Sequence, residues 1–191
     1  MTIIRLGALL FALMLPVSAK TASTQSAEAS APVDPAKVYG NMIRTAERAI
    51  IGLAEAMPEE KYTFAPAAGL FAAGQSTEFK GVRTFAQQVA HVASSNYEYL
   101  QAMGLEKDKD AAAIERLTTK VETLQALKDS FAAAEKAAAT ITPQNAFEGL
   151  GPKKTATKAA LASAIAWHTM DHYGQLVVYA RMNGVVPPQS R

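Results

Sequence analysis

The chain holds three histidines, His91, His168 and His172, and no cysteine. A neutral imidazole offers one ring-nitrogen lone pair and one N–H, so it can ligate a metal, shuttle a proton or hydrogen-bond within a core. His168 and His172 stand four apart. On a helix they share a face, about 6 Å apart between Cβ atoms, and both rings can converge on one ion. They also fall on the stripe formed by Leu161, Ile165, Leu176 and Tyr179, where leucines would be expected. A buried imidazole needs a partner for each nitrogen. An ion on one nitrogen and a hydrogen bond on the other would meet both needs. The alternative is a pair of core histidines bonded to neighbouring polar groups.

His91 lies beside the apolar stripe Phe85, Val89, Val92 and Tyr99, in line with Gln88 and Ser95. If its helix faces the one carrying His168 and His172, the three rings form one divalent-metal site. Three imidazoles suit zinc, nickel, iron(II) or copper, with zinc as the default, and leave at least one coordination position open to water or substrate. Other chemistries fail on spacing. A di-iron site of the bundle type needs Glu-x-x-His pairs, but Gln88, Ile165 and Thr169 stand three residues before the histidines. Thr169 follows His168, so there is no H-E-x-x-H motif. A haem held by Met and His would leave one or two histidines without a role, and a Ser-His-Asp set would break up the trio. The lack of cysteine excludes disulfides, thiolate zinc sites, iron–sulfur clusters and thiol nucleophiles.

Three polar residues stand near the trio. Gln175, one turn after His172, can bond a ligand or bridge two helices. Asp171 points roughly 100° away from His172 around a helix, a position suited to a salt bridge or to orienting a neighbour and not to ligation. Asn96, about a turn and a half beyond His91, is a pocket-lining candidate. Tyr97, Tyr99, Trp167 and Tyr173 are expected to pack.

Four helices suffice to position these groups. Asp34-Pro35 is an N-cap followed by proline at the first helical position. Val38, Met42, Ile43, Ala46, Ile50 and Leu53 then keep helical spacing up to Met57-Pro58. Residues 58–82, broken by Pro66, Gly69, Gly74 and Gly81, read as a long cover over one end with a short helical turn. Thr84 and Gln87 form a capping-box pair, opening a second helix that stops at Gly104. A third is expected over about 119–140, carried by Val121, Leu124, Leu127, Phe131 and Ala138, with 111–117 also helix-compatible. A fourth runs from near Thr155 or Thr157 to about Asn183, ended by Gly184 and Pro187-Pro188. No strand is expected.

At the other end, Arg5, an apolar run from Leu6 to Leu15 and the small residues Val17-Ser18-Ala19 make an export signal, with cleavage near Ala19 and a periplasmic destination. The run is too short for a permanent membrane anchor. Residues 20–33 read as a disordered linker and 34–188 as one domain. Of 191 residues 49% are hydrophobic, enough for a core, and 19 basic residues nearly balance 17 acidic ones, which gives no electrostatic reason to expect nucleic acid. A small molecule or thiol is the expected partner, and a homodimer is compatible.

The segment WHTMDHYGQLVVYARMNGVVPP (167–188) resembles the last helix of the DinB-like family of metal-binding proteins, and RTFAQQVAHVASSN (83–96) resembles its second helix. The resemblance covers about residues 35–188. It implies an all-α, up-down-down-up four-helix bundle with a metal triad at His91, His168 and His172. It also implies a metal-dependent thiol transferase or isomerase using low-molecular-weight thiols such as bacillithiol or mycothiol. The open metal position itself makes a transferase or hydrolase acting through metal-bound water or thiolate the expected enzyme. A non-catalytic periplasmic protein binding a metal or small ligand is the alternative. Such thiols are scarce outside the inner membrane, so an exported member departs from the thiol-using pattern.

Overall fold

The computed structural model describes residues 32–70 and 72–190. The expected leader, and the linker up to residue 31, lie outside the described residues. Among the described residues five α-helices dominate: α1 (Pro35–Ala56), α2 (Phe85–Ala102), α3 (Ala111–Glu115), α4 (Lys120–Ala138) and α5 (Lys158–Met182). The four long helices match the periodicity. The fifth, α3, occupies the segment that could have been an early start of the third long helix. It is separate because two N-caps compete there. Asp110 accepts from the Ala113 amide at 2.9 Å and Thr119 from the Glu122 amide at 3.3 Å, so the chain starts a helix twice.

The ends of the long helices follow local chemistry. The Asp34 carboxylate accepts from the Ala36 amide with Pro35 at the first position. Thr84 and Gln87 form both bonds of a capping box, each such cap contributing about 1 kcal/mol. Gly104 and Gly184 follow α2 and α5 with φ of 85° and 76°, the left-handed conformation that glycine adopts without strain. The expectation of no strand fails in one place. Gly149–Leu150 (β1) pairs antiparallel with Ala156–Thr157 (β2), Gly149 opposite Thr157. Two residues are too few to leave an alternating pattern. A Cβ on Gly149 would sit 2.7 Å from the Lys154 Cβ, so the bridge depends on that glycine.

The core is built from all four long helices. Ile43, Ile50 and Leu53 of α1, Phe85, Val89, Val92 and Leu100 of α2, Leu127 and Phe131 of α4, and Ile165 and Leu176 of α5 are fully buried. Each such side chain contributes roughly 1.5–3 kcal/mol. α5 packs on α1 and α2, α4 packs on the same two, and α3 lies on α2. Several positions depart from the expected stripes, and Val38 and Met42 of α1 are each 40% exposed. Val121 is 71% exposed, because it falls about a third of a turn around α4 from Leu127. On α5 the buried face is rotated towards Thr169, which is fully buried, and leaves Leu161 and His168 half-buried.

The long connection after α1 contains two 3₁₀ turns, Glu59–Lys61 and Ala68–Leu70. It is tied down at Tyr62, a buried residue whose hydroxyl donates to the Ala54 carbonyl at 2.7 Å. The Tyr62 and Phe64 carbonyls accept from the Ala86 and Phe85 amides, at the N-terminus of α2 where backbone donors lack helical partners. Among the described residues no helix is long and apolar enough to cross a membrane.

Candidate metal centre

Two long helices and the short α3 assemble the site. α2 contributes Gln88 and His91, α5 contributes His168, Asp171, His172 and Gln175, and α3 contributes Glu115. The three imidazoles each offer a donor nitrogen within 4.8 Å of the others. Ring centroids lie 5.2 Å (His91–His168), 4.9 Å (His91–His172) and 4.6 Å (His168–His172) apart, all roughly edge to face.

The hydrogen bonds decide which nitrogens face inward. His91 Nδ1 donates to the Glu115 carboxylate, 3.1 and 3.0 Å from its two oxygens, which leaves Nε2 as the lone pair. His172 Nδ1 donates to Gln88 Oε1 at 2.5 Å, which again leaves Nε2 bare. His172 Nε2 faces His168 Nε2 at 3.2 Å. Two nitrogens bound to one tetrahedral ion at about 2.05 Å would lie about 3.3 Å apart, so this pair already has the spacing of co-ligands. A carboxylate or amide oxygen behind a ligating imidazole is the usual arrangement at metal sites, where it fixes the tautomer and raises the basicity of the ligand. His168 differs from the other two, since its Nδ1 is buried and has no hydrogen-bond partner. The donor set and its outer bonds fit a divalent ion.

Glu115 is held in place from α2. The Ser94 hydroxyl donates to the Ala111 carbonyl at 2.8 Å, and the Gln101 amide donates to the Lys109 carbonyl at 2.7 Å, so the connection and α3 are pinned along α2. Arg83 also donates to Glu115, at 3.2 Å, and its own carbonyl accepts from Tyr179 of α5. A cavity of about 370 Å³, lined by Gly81, Val82, Arg83, Gln87 and Glu115, opens beside this carboxylate. Larger clefts lie elsewhere, including one between α1 and α5 that borders Trp167.

The remaining sequence candidates are placed as follows. Gln175 is exposed; its oxygen accepts from Gln88 at 2.9 Å and its amide donates to Asp171 at 3.1 Å. Asp171 thus orients a neighbour. Asn96 is not in the histidine cluster. It is fully buried and donates to Ser130 of α4 at 3.1 Å, so it faces α4 while His91 of the same helix faces α5. Tyr97 is buried, and Tyr99 and Tyr173 pack half-buried against the core. Trp167 is not a core residue: it is 61% exposed, with its ring edge-on to His168. Gln88, Glu115 and Arg83 gained no role from the sequence. Gln88 was visible as a polar residue in line with His91. Glu115 was not, because it reaches His91 from a separate five-residue helix.

Burial pushes the His172 imidazole down from 6.5 to about 4, helped by the neighbouring His168 and His91. Burial and then His91 lower His168 as well. Both rings are therefore neutral at neutral pH, the form that ligates. A depressed folded-state pKa means that the unfolded chain binds the proton first as pH falls. In metal-free protein this contribution to stability is present above pH 6.5 and is lost as the pH falls towards about 4. Thermal melts of chelator-treated protein should show the loss, and His172→Leu should reduce it. Equal pH dependence in the two proteins would contradict the buried neutral imidazole.

Residues 42–176 match the family model of the DinB superfamily. No curated protein matches the chain. The match spans well over half of the 191 residues and includes His91, His168 and His172, and on that basis the chain belongs to the DinB superfamily.

Proposed function

We propose that this protein is an exported divalent-metal-binding member of its superfamily, whose three-histidine site serves a transferase or hydrolase reaction on a small molecule. One observation carries the metal reading. Glu115 and Gln88 hold the Nδ1 protons of His91 and His172, so that both Nε2 lone pairs are free to turn towards His168. Zinc is the default ion and nickel or iron are alternatives, because neutral nitrogen ligands accept all three.

The same contacts support an up-down-down-up order for the long helices. Going from Ala111 to Glu115, α3 runs from Ser94 back to Arg83, so it returns the chain towards the start of α2. Lys120, at the start of α4, donates to the Glu55 and Met57 carbonyls at the end of α1. Tyr179, near the end of α5, bonds Arg83 at the start of α2. In this order α2 and α4 run together and α1 and α5 oppose them, which brings His91 to the His168–His172 pair.

A divalent ion held by the trio would supply a Lewis acid that lowers the pKa of a water or thiol. The chain's own groups do the rest. Glu115 keeps the proton on His91 Nδ1, Gln88 keeps it on His172 Nδ1, and Arg83 adds positive charge close enough to depress both His168 and His172. The Glu115 carboxylate, 3.2 Å from Arg83, offsets that charge, and Asp171 acts on both rings in the opposite sense. Export rests on Arg5, the Leu6–Leu15 run and Val17-Ser18-Ala19; N-terminal sequencing of the mature protein reads the cleavage site expected near Ala19.

Metal-loaded protein should turn over at least one substrate in a panel that pairs low-molecular-weight thiols with electrophilic acceptors and includes hydrolysable esters. Turnover should disappear with chelator and return with the ion. Metal retained without turnover across the panel would favour the non-catalytic binding protein instead.

A further inference from the structure

The hydrogen bonds behind His172 do not end at Gln88. Gln88 Nε2 donates to Gln175 Oε1 at 2.9 Å, and Gln175 Nε2 donates to Asp171 Oδ2 at 3.1 Å. The chain His172–Gln88–Gln175–Asp171 thus crosses from α5 to α2 and back, linking a side chain that is 7% exposed to a carboxylate on the surface.

We propose that Asp171 is a positioning residue that sets the tautomer of His172 through the two glutamines; the second readout below rests on the metal reading of the same site. The logic is one of donors and acceptors. A carboxylate only accepts, so it takes the NH₂ end of Gln175. Gln175 must then present its oxygen to Gln88, which can answer only with its own NH₂. That turns the Gln88 oxygen towards His172, where it can be met only by an N–H. The proton is held on Nδ1 and the lone pair is left on Nε2, the nitrogen that faces His168. An amide can sit in either of two orientations, so two glutamines without a charged terminus would permit the reverse chain as well. In the reverse chain Gln88 would offer its NH₂ to Nδ1, the proton would move to Nε2, and the ligand nitrogen would be blocked. Asp171 supplies this polarity from the Gln175 end, and the Tyr179 hydroxyl, which donates to the Arg83 carbonyl and hydrogen-bonds Gln88, supports the same Gln88 orientation. Gln88 is 4% exposed, so it has little access to water that could take over either bond.

Asp171→Lys tests the polarity directly, because an ammonium group only donates and would favour the reversed chain. Asp171→Glu keeps an acceptor. Asp171 is exposed on a helix and both replacements are good helix formers, so folding should survive. The first readout is the pair of imidazole ¹⁵N shifts of His172 in metal-free protein, which distinguish a protonated from a bare ring nitrogen. Wild type and Asp171→Glu should show Nδ1–H, and Asp171→Lys should shift the population towards Nε2–H. The second readout is zinc affinity, expected to fall about tenfold in Asp171→Lys, at the lower end for an outer hydrogen-bond partner. An unchanged Nδ1–H tautomer in Asp171→Lys would overturn the relay. So would an equal shift in Asp171→Glu, since the effect would then follow from disturbing the helix and not from the polarity of the bond. If wild type bound no zinc, the metal reading would fall while the tautomer result still decided the relay.

Discussion

Replacing His172 with alanine should weaken zinc binding by more than about 100-fold while the bundle stays folded. Loss of a partner behind a ligand already costs 10–100-fold at metal sites, and here a ligand itself is removed. His172 is also the best anchored of the three. It is 7% exposed, its Nδ1 is held by Gln88, and its Nε2 stands 3.2 Å from that of His168. Alanine is the stronger helix former, so α5 has no local reason to unwind. The void and the freed Gln88 oxygen will cost some stability, and a melt of the metal-free variant separates that cost from the loss of the ion. Calorimetric titration with zinc measures the effect. An affinity within threefold of wild type would remove His172 from the ligand set.

The second large effect is expected at Glu115. Both of its oxygens lie within 3.1 Å of His91 Nδ1, and Arg83 completes the group at 3.2 Å. Glu115→Gln keeps the size and one acceptor but loses the charge, and should weaken zinc binding about tenfold. Glu115→Leu removes the acceptor altogether, leaves His91 free to take either tautomer, and should weaken binding nearer to 100-fold. The graded series matters because a purely structural role for Glu115 would lower the melting temperature of both variants without this ordering in affinity. Wild-type affinity in Glu115→Leu would show that His91 needs no partner behind it.

The parts of the fold legible in the sequence are those decided within a few residues. Asp34-Pro35, Thr84 with Gln87, Gly104 and Gly184 marked the ends of α1, α2 and α5, because caps and left-handed glycines act within one turn. The i, i+4 spacing placed His168 and His172 on one face for the same reason. What escaped is tertiary. Glu115 meets His91 across 24 residues through a helix too short to carry a period, and Asn96 turns to Ser130 because α4 packs on that side. Val121 and Leu161 obey helical spacing loosely enough to be counted with a stripe, yet the packed register leaves Val121 exposed and Leu161 only half-buried. The β1–β2 bridge rests on one close approach at Gly149 that no local pattern records. Trp167 shows the converse: a large aromatic suggests a core position, but its place on α5 turns it to solvent beside His168.

The most direct test of the metal site is native mass spectrometry of the purified wild-type chain, loaded with zinc at neutral pH and then desalted. One zinc per chain in wild type and none in His168→Ala is the expected result. A wild-type chain without zinc, or equal loading of the two proteins, would contradict a shared ion at His91, His168 and His172.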